Sequence, residues 1–286
     1  MENSQNKPSR WLIVWAGLSI LLPLLVLYIY SCSENAIQLG KVEIKQIQGN
    51  QNVEELIAQI DKTIPKKETE IIQYALDTNG NVINAKTRLP IITDTSKHRI
   101  LLIGDSEIGG LRYSINDYCR ENGHQIVLAV EWYSATTFNF GRSDTIDKII
   151  QQYKPTYIFL VLGLNELYAK DLKARKKAAN QLAEKLKGIP YTWIGPANWD
   201  EDFGINKVYE SAAEPGTYFW SKNLTLSRSK DGRHPDNKGY RMWMDSLAVW
   251  VQTTAKYKLQ MRVPKKRARP YLSPVITINA AKYRGY

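Results

Sequence analysis

An α/β fold with a mostly parallel sheet is predicted by three observations. From residue 98 onward, short apolar runs alternate with longer helix-like patterns. The apolar runs are bounded by Gly, Pro and polar residues rather than by hairpin turns. The intervening segments are long enough to carry a helix back across the sheet, which parallel strands require.

The elements follow in order. Arg99 to Ile103 reads as a buried strand, and Ile108 to Asn122 as a helix closed by Gly123. Gln125 to Val130 is the next strand. Asp144 to Tyr153 is a helix stopped before Pro155, and Tyr157 to Leu162 a strand. Lys170 to Lys187 is an Ala/Lys-rich helix ended by Gly188 and Pro190, and Tyr191 to Ile194 is a strand before Gly195-Pro196. A long irregular stretch then leads to a last helix, Asn237 to Tyr257. Upstream, Lys41 to Ile47 alternates like a strand, and Val53 to Ile64 has a short amphipathic helix pattern. Asn79-Gly80 between Tyr74-Ala75-Leu76 and Val82-Ile83 signals a hairpin.

Trp11 to Tyr30 is a run of twenty residues without a charge, long enough to cross a hydrocarbon core as a helix. Lys7 and Arg10 precede it and Glu34 follows, so the positive-inside tendency keeps the N-terminus cytoplasmic and exports the rest. Two alternatives stand beside this signal-anchor: a cleaved signal peptide, and a lipoprotein signal, since Ile29-Tyr30-Ser31-Cys32 is similar to a lipobox with Cys32 as the lipidated residue. The expected organisation is a cytoplasmic N-terminus over 1–10, a transmembrane anchor or uncleaved signal over 11–30, and a stalk with small local structure over 31–95. A catalytic domain over 96–260 and a basic tail over 261–286 complete it. The expected location is the cell membrane, single-pass, with the domain on the periplasmic or extracellular side.

The 286 residues are 43% hydrophobic and 23% charged, an ordinary globular composition. The net charge of +11 is uneven: 262–286 holds seven Lys or Arg and no acid, and removing those seven from +11 leaves +4. The basic balance therefore describes a tail, expected to be a solvated extension or a contact for anionic headgroups, and does not indicate nucleic-acid binding. Cys32 and Cys119 are too differently placed to suggest a disulfide, and Cys119 inside a helix pattern reads as a small buried apolar residue. No Cys/His spacing suits zinc, and no metal or cofactor is expected.

Three short motifs fall where a doubly wound sheet presents its strand ends. Gly104-Asp105-Ser106 follows the first strand and meets a helix start, placing Ser106 on the bend. Gly163-Leu164-Asn165-Glu166 follows a later strand, and Asp231-Gly232-Arg233-His234-Pro235 precedes the last helix. A serine hydroxyl needs a base to become a nucleophile. His234 Nε2 is the expected base, with Asp231 accepting from Nδ1 to fix the tautomer and stabilise the imidazolium. The oxyanion formed on attack requires donors already in place. The Ser106 N–H and the Asn165 side-chain amide are expected to supply two. Each motif alone also occurs as a turn or a cap; their order and placement together point to acyl transfer.

In these motifs the chain, over about 99–251, resembles the SGNH (GDSL-type) hydrolases. Gly104-Asp105-Ser106 is similar to the family's first block, Gly163-Leu164-Asn165-Glu166 to its third and Asp231-Gly232-Arg233-His234 to its fifth. Gly195-Pro196-Ala197-Asn198-Trp199 resembles its usual strand exit. The resemblance implies a flavodoxin-like three-layer α/β/α fold and no metal. It departs at the second block, where the family offers a glycine N–H to the oxyanion; here the loop reads Glu131-Trp132-Tyr133-Ser134-Ala135-Thr136-Thr137, leaving Ser134 and Ala135 as alternatives.

Trp199, Tyr218 and Trp220, with Phe219, lie in the long stretch before His234, and are expected either to stack on sugar rings or to fill that stretch's own small core. An exported, membrane-held serine esterase acting on acyl esters, by analogy O-acetyl esters, of a cell-envelope glycan is the leading expectation. An O-acetyltransferase working beside a membrane-bound O-acyltransferase partner, and a non-catalytic envelope glycan-binding or scaffold protein, are the alternatives.

Overall fold

The computed structural model describes residues 37–39, 42–44, 74–76, 82–84 and 94–285. The segment 11–30, Cys32, and the helix pattern at 53–64 lie outside the described residues. No helix among the described residues is long and apolar enough to cross a membrane. The chain divides into two units, Met1–Asn52 and Val53–Tyr286. In the first, β1 (Ile37–Leu39) pairs antiparallel with β2 (Val42–Ile44). In the second, β3 (Tyr74–Leu76) pairs antiparallel with β4 (Val82–Asn84), the two strands flanking Asn79-Gly80.

From residue 99 the chain builds a six-stranded, fully parallel sheet in the order β10-β6-β5-β7-β8-β9. Its strands are β5 (Arg99–Gly104), β6 (Gln125–Tyr133), β7 (Tyr157–Val161), β8 (Tyr191–Ile194), β9 (Tyr218–Phe219) and β10 (Val275–Asn279). The first three are almost wholly buried apolar runs, as strands covered on both faces must be. Chain direction around the sheet reverses between β5 and β7, so a crevice opens beyond their carboxyl ends.

Alternating side chains of each strand divide the core in two. Leu101, Ile103, Leu128 and Val130 point to one layer, formed by α2 (Thr137–Arg142), α3 (Thr145–Tyr153), α4 (Leu172–Leu186) and α5 (Ile205–Ala212). Ile100, Leu102 and Ala129 point to the other, formed by α1 (Ile108–Asn122) and α6 (Asn237–Thr253). Local signals set the helix ends. Gly123 takes φ 77° at the end of α1, Lys154 turns left-handed before Pro155, and the Asp236 carboxylate caps α6 by accepting from the Gly239 N–H at 2.7 Å. Cys119 is buried in α1 as an apolar residue, and burial pushes its thiol well up.

The basic tail is not a solvated extension. Its strand β10 lies parallel to β6 and forms one edge of the sheet. Two of its arginines pair with the domain, Arg267 with Asp245 at 2.9 Å and Arg269 with Glu121, and the Asp117 carboxylate accepts from the N–H groups of Ala268 (2.7 Å) and Arg269 (2.9 Å). The alternation in Val275-Ile276-Thr277-Ile278-Asn279 is a strand pattern that the surrounding charge hides in the sequence.

Candidate active site

Strand β5 delivers Ser106. Gly104, its last residue, packs so closely on β7 that a Cβ there would lie 1.9 Å from the Val161 carbonyl oxygen. The chain then turns through Asp105 and Ser106 into α1, leaving Ser106 half-buried at the bend. The Asp105 carboxylate is wholly buried and points back under this bend. Oδ1 accepts from the Glu107 N–H at 3.0 Å, and Oδ2 from the N–H groups of Gly163 (3.0 Å) and Leu164 (3.1 Å). Burial pushes Asp105 up to about 6, against the pull of those three donors.

His234 reaches Ser106 from the other side of the crevice. Its Nε2 stands 2.9 Å from Ser106 Oγ, and its Nδ1 stands 2.6 Å from Asp231 Oδ2. Asp231 Oδ1 also accepts from the Ser229 hydroxyl (2.7 Å) and from the N–H groups of Arg233 (2.9 Å) and His234 (3.0 Å), which fixes the turn. The His234 ring, followed by these partners, holds the Asp231 carboxyl well below the usual range. An ionised carboxylate can only accept, so the contact with Asp231 suits the tautomer with its proton on Nδ1, which leaves Nε2 facing the Ser106 hydroxyl.

Asn165 sits in a 3₁₀ turn, Leu164–Glu166, after β7. Gly163 enters that turn at φ 134°, and a Cβ there would press on Pro196 and Tyr209 at 2.8 Å. The Asn165 side chain is exposed on the crevice; one Nδ2 hydrogen goes to the Ala135 carbonyl at 3.0 Å, and the amide has a second to offer. The two alternatives at the second-block loop are unequal. The Ala135 N–H donates to the Trp132 carbonyl at 3.1 Å, whereas the Ser134 N–H has no acceptor among the described residues. Ser134 adopts φ 58°, a left-handed conformation uncommon for a residue with a Cβ.

Glu166, wholly buried below Asn165, fastens the two loops together. Its oxygens accept from the Thr137 N–H (2.8 Å), the Thr137 hydroxyl (2.8 Å), Arg175 Nη1 (2.6 Å) and the Tyr209 hydroxyl. Glu107, next to Ser106, is also wholly buried. Its Oε2 accepts from the Tyr240 hydroxyl at 2.8 Å and its Oε1 has no partner. Desolvation, and then the charge of Asp105, push Glu107 up to about 8. Neither acid is signalled as buried by the sequence.

Beside His234 lies a cleft of about 430 Å³ lined by Asn165, Tyr168, Arg175, Trp199, Arg233 and His234 among others. Trp199 therefore faces the site. Tyr218 and Trp220, its expected companions, do not. Tyr218 is buried in the short strand β9, donates to Asn206 Oδ1 at 2.8 Å and packs edge-on to Trp193. Trp220 packs edge-on to Tyr218 and donates its indole N–H to Glu210 at 2.7 Å, lining a different cleft. The two-residue strand is too short to show a period, which is why its tyrosine reads as a rim residue in sequence. Tyr168, Arg175 and Arg233 complete the wall; only Arg233 lies in a motif that points there.

Among solved structures the chain is similar to BT4096, a gut microbial diltiazem-metabolizing enzyme, with a TM-score of 0.41 and 18% identity over 56% of this chain and 48% of that one. The chain thus spans about half the length of that structure. No protein-family model matches the chain and no curated protein matches it.

Proposed function

We propose that the protein is a serine esterase of the SGNH type, with a flavodoxin-like domain acting on acyl esters, foremost O-acetyl esters, of a cell-envelope glycan. The observation that carries this reading is the line of two hydrogen bonds from Ser106 Oγ to His234 Nε2 (2.9 Å) and from His234 Nδ1 to Asp231 Oδ2 (2.6 Å). The strand order 2-1-3-4-5 of β5 to β9, shared with flavodoxin-like sheets, supports it, because it sets both loops of the site beside the switch point.

In this mechanism Ser106 Oγ attacks the ester carbonyl as His234 Nε2 takes its proton. The oxyanion is met by the Ser106 and Ser134 N–H groups and the free hydrogen of Asn165 Nδ2. The imidazolium, held by Asp231, returns the proton to the departing sugar oxygen and leaves an acyl group on Ser106. Water then attacks the acyl-enzyme by the same route, giving free acetate and restoring the hydroxyl. A glycan hydroxyl in place of water would make the same intermediate a transfer step. The charge-free run at 11–30, preceded by Lys7 and Arg10, would hold the domain at the exported face of a membrane, near such polymers.

The test uses the full-length protein in detergent, p-nitrophenyl acetate, an acetylated glycan and a fluorophosphonate probe. The expected result is probe labelling and acetate release, both abolished in Ser106→Ala. Acetyl appearing on an acceptor glycan without free acetate would assign the transferase. Absence of labelling in the folded wild type would remove the enzyme reading altogether.

A further inference from the structure

From the cleft beside His234, a strip of aromatic rings continues along the surface. Trp199 lies 5.6 Å from Tyr168, and Tyr168 lies 5.6 Å from Phe203, measured between ring centroids. Phe203 then lines a second cleft of about 430 Å³, which Trp220 also lines. We propose that this strip is the binding groove for an extended glycan chain. It would hold sugar units on one side of the reacting ester and so make a polymer, rather than a single acetylated sugar, the preferred ligand.

Exposure is the first argument. Tyr168 is 48% and Phe203 43% exposed, although both belong to a cluster that would be buried if it merely filled a loop core. Contiguous exposed apolar surface of this kind marks binding sites.

The second argument is that the platform is built. Asp202 lies beneath it with a side chain only 3% exposed. Its Oδ1 accepts from the Gly204 N–H at 2.9 Å, and its Oδ2 from Asn198 and Asn206 Nδ2 (both 3.1 Å) and Lys222 Nζ (2.8 Å). The Phe203 N–H donates to the Leu167 carbonyl at 2.9 Å, and the Tyr168 hydroxyl donates to Asp200. The loop carrying Phe203 and the hydroxyl of Tyr168 are thus held before any ligand arrives, which lowers the ordering cost of binding.

Chemistry selects the occupant. Along the strip the aromatic faces alternate with hydrogen-bonding and charged groups: Arg233 stands 4.9 Å from the Trp199 ring centre, and Lys170 stands 6.0 Å from that of Phe203. Rings flanked by polar donors and acceptors suit sugars, which present an apolar face edged with hydroxyls. The aliphatic residues of the first cleft, Leu164 and Leu167, are buried at its base, and the side chains at its rim beside the rings are mostly polar or charged. Continuity with the triad cleft fixes which ligand it serves.

This inference rests on the glycan-esterase reading, and its test separates the two. Binding of unacetylated chito-, cello- and galacturono-oligosaccharides, each as monosaccharide and hexamer, is measured by calorimetry on the full-length Ser106→Ala protein. At least one hexamer is expected to bind tenfold or more tightly than its monosaccharide, and Phe203→Ala added to Ser106→Ala should cut that advantage by roughly tenfold. Because both rings are nearly half-exposed, Phe203→Ala and Tyr168→Ala are expected to fold, as melting curves will register. The groove is overturned if no hexamer outbinds its monosaccharide, or if both alanine variants keep the full advantage. Length-dependent binding in a protein whose wild type leaves p-nitrophenyl acetate intact would keep the groove and sink the esterase.

Discussion

The Asp105 carboxylate accepts the Gly163 N–H at 3.0 Å, a bond that ties the bend carrying Ser106 to the turn carrying Asn165. The same carboxylate also accepts from Leu164 and Glu107, so one buried side chain sets the spacing between Ser106 and Asn165, the proposed oxyanion donor. Asp105→Ala would leave three buried N–H groups without an acceptor, at about 1–3 kcal/mol each. A loss of at least about 3 kcal/mol in chemical denaturation is expected, with a drop of more than tenfold in kcat on p-nitrophenyl acetate. Asp105→Asn restores one acceptor oxygen but turns an NH2 toward the donors. It should recover part of the stability and less of the rate.

Removing Asn165 tests the proposed oxyanion role without touching Ser106. Its side chain is exposed, and the hydrogen bond to Ala135 is the one tertiary bond it gives up. Asn165→Ala should therefore melt within a few degrees of wild type. Its kcat on p-nitrophenyl acetate should fall by about 10²–10³, the usual cost of one preorganised donor. A rate within threefold of wild type would move the donor role elsewhere, with the Ser134 N–H first in line.

The sequence groups Ser106, Asp231 and His234 because each sits in a short motif beside a strand or helix, and long apolar or periodic runs are the strongest local signal a chain carries; the structure brings the three side chains within hydrogen-bond reach. The central strands β5, β6 and β7 are legible for the same reason: they are buried on both faces and read as continuous apolar runs. What was missed is short or depends on distant residues. Helix α5 has only eight residues, yet Ile205, Val208 and Tyr209 keep helical spacing within the stretch that reads as irregular. Strand β9 has two residues and no period, so Tyr218 cannot be told from a surface aromatic. Glu107 and Glu166 look like helix-end acids, because their burial is made by Tyr240, Arg175 and Tyr209, which are remote in sequence.

The buried Glu107 predicts an unusual pH dependence of stability. Its carboxyl is pushed up to about 8 in the folded chain from an ordinary value of 4.5, with desolvation first, the Asp105 charge next, and the Tyr240 hydroxyl and Arg228 opposing. Between those two values the native chain retains a proton that the unfolded chain has lost. The slope of stability against pH is then negative, so stability falls as pH rises through that window, by up to about 1.4 kcal/mol per unit. Asp105, raised to about 6 from 3.8, adds a fall of the same sign at the lower end. Glu107→Gln keeps an acceptor for Tyr240 without the charge. Denaturant midpoints taken from mildly acidic to mildly alkaline buffer should decline in wild type, and the decline above pH 6 should flatten in the variant. Parallel curves for the two proteins would contradict the assignment.

The C-terminal strap reaches the site through Trp132. This residue is wholly buried near the end of β6, two positions before Ser134, and Tyr283 stacks on it with centroids 5.7 Å apart and planes 18° from parallel. One residue on, the Arg284 carbonyl accepts from Asn139 Nδ2 at 3.0 Å, and Asn139 Oδ1 in turn accepts from the Thr136 N–H at 2.9 Å. The strap thus braces both ends of the loop that offers the Ser134 N–H. Tyr283 is itself half-exposed, so Tyr283→Ala should cost only about 0.5–1.5 kcal/mol for the lost ring pair. Deleting residues 275–286 also strips β10 from β6, opens the Trp132 face to water and frees Asn139. That variant should remain folded around the five remaining strands yet lose at least tenfold in kcat on p-nitrophenyl acetate. If the rate survives the deletion intact, the loop holds its shape without the strap, and Thr137 bonded to Glu166 is sufficient to fix it.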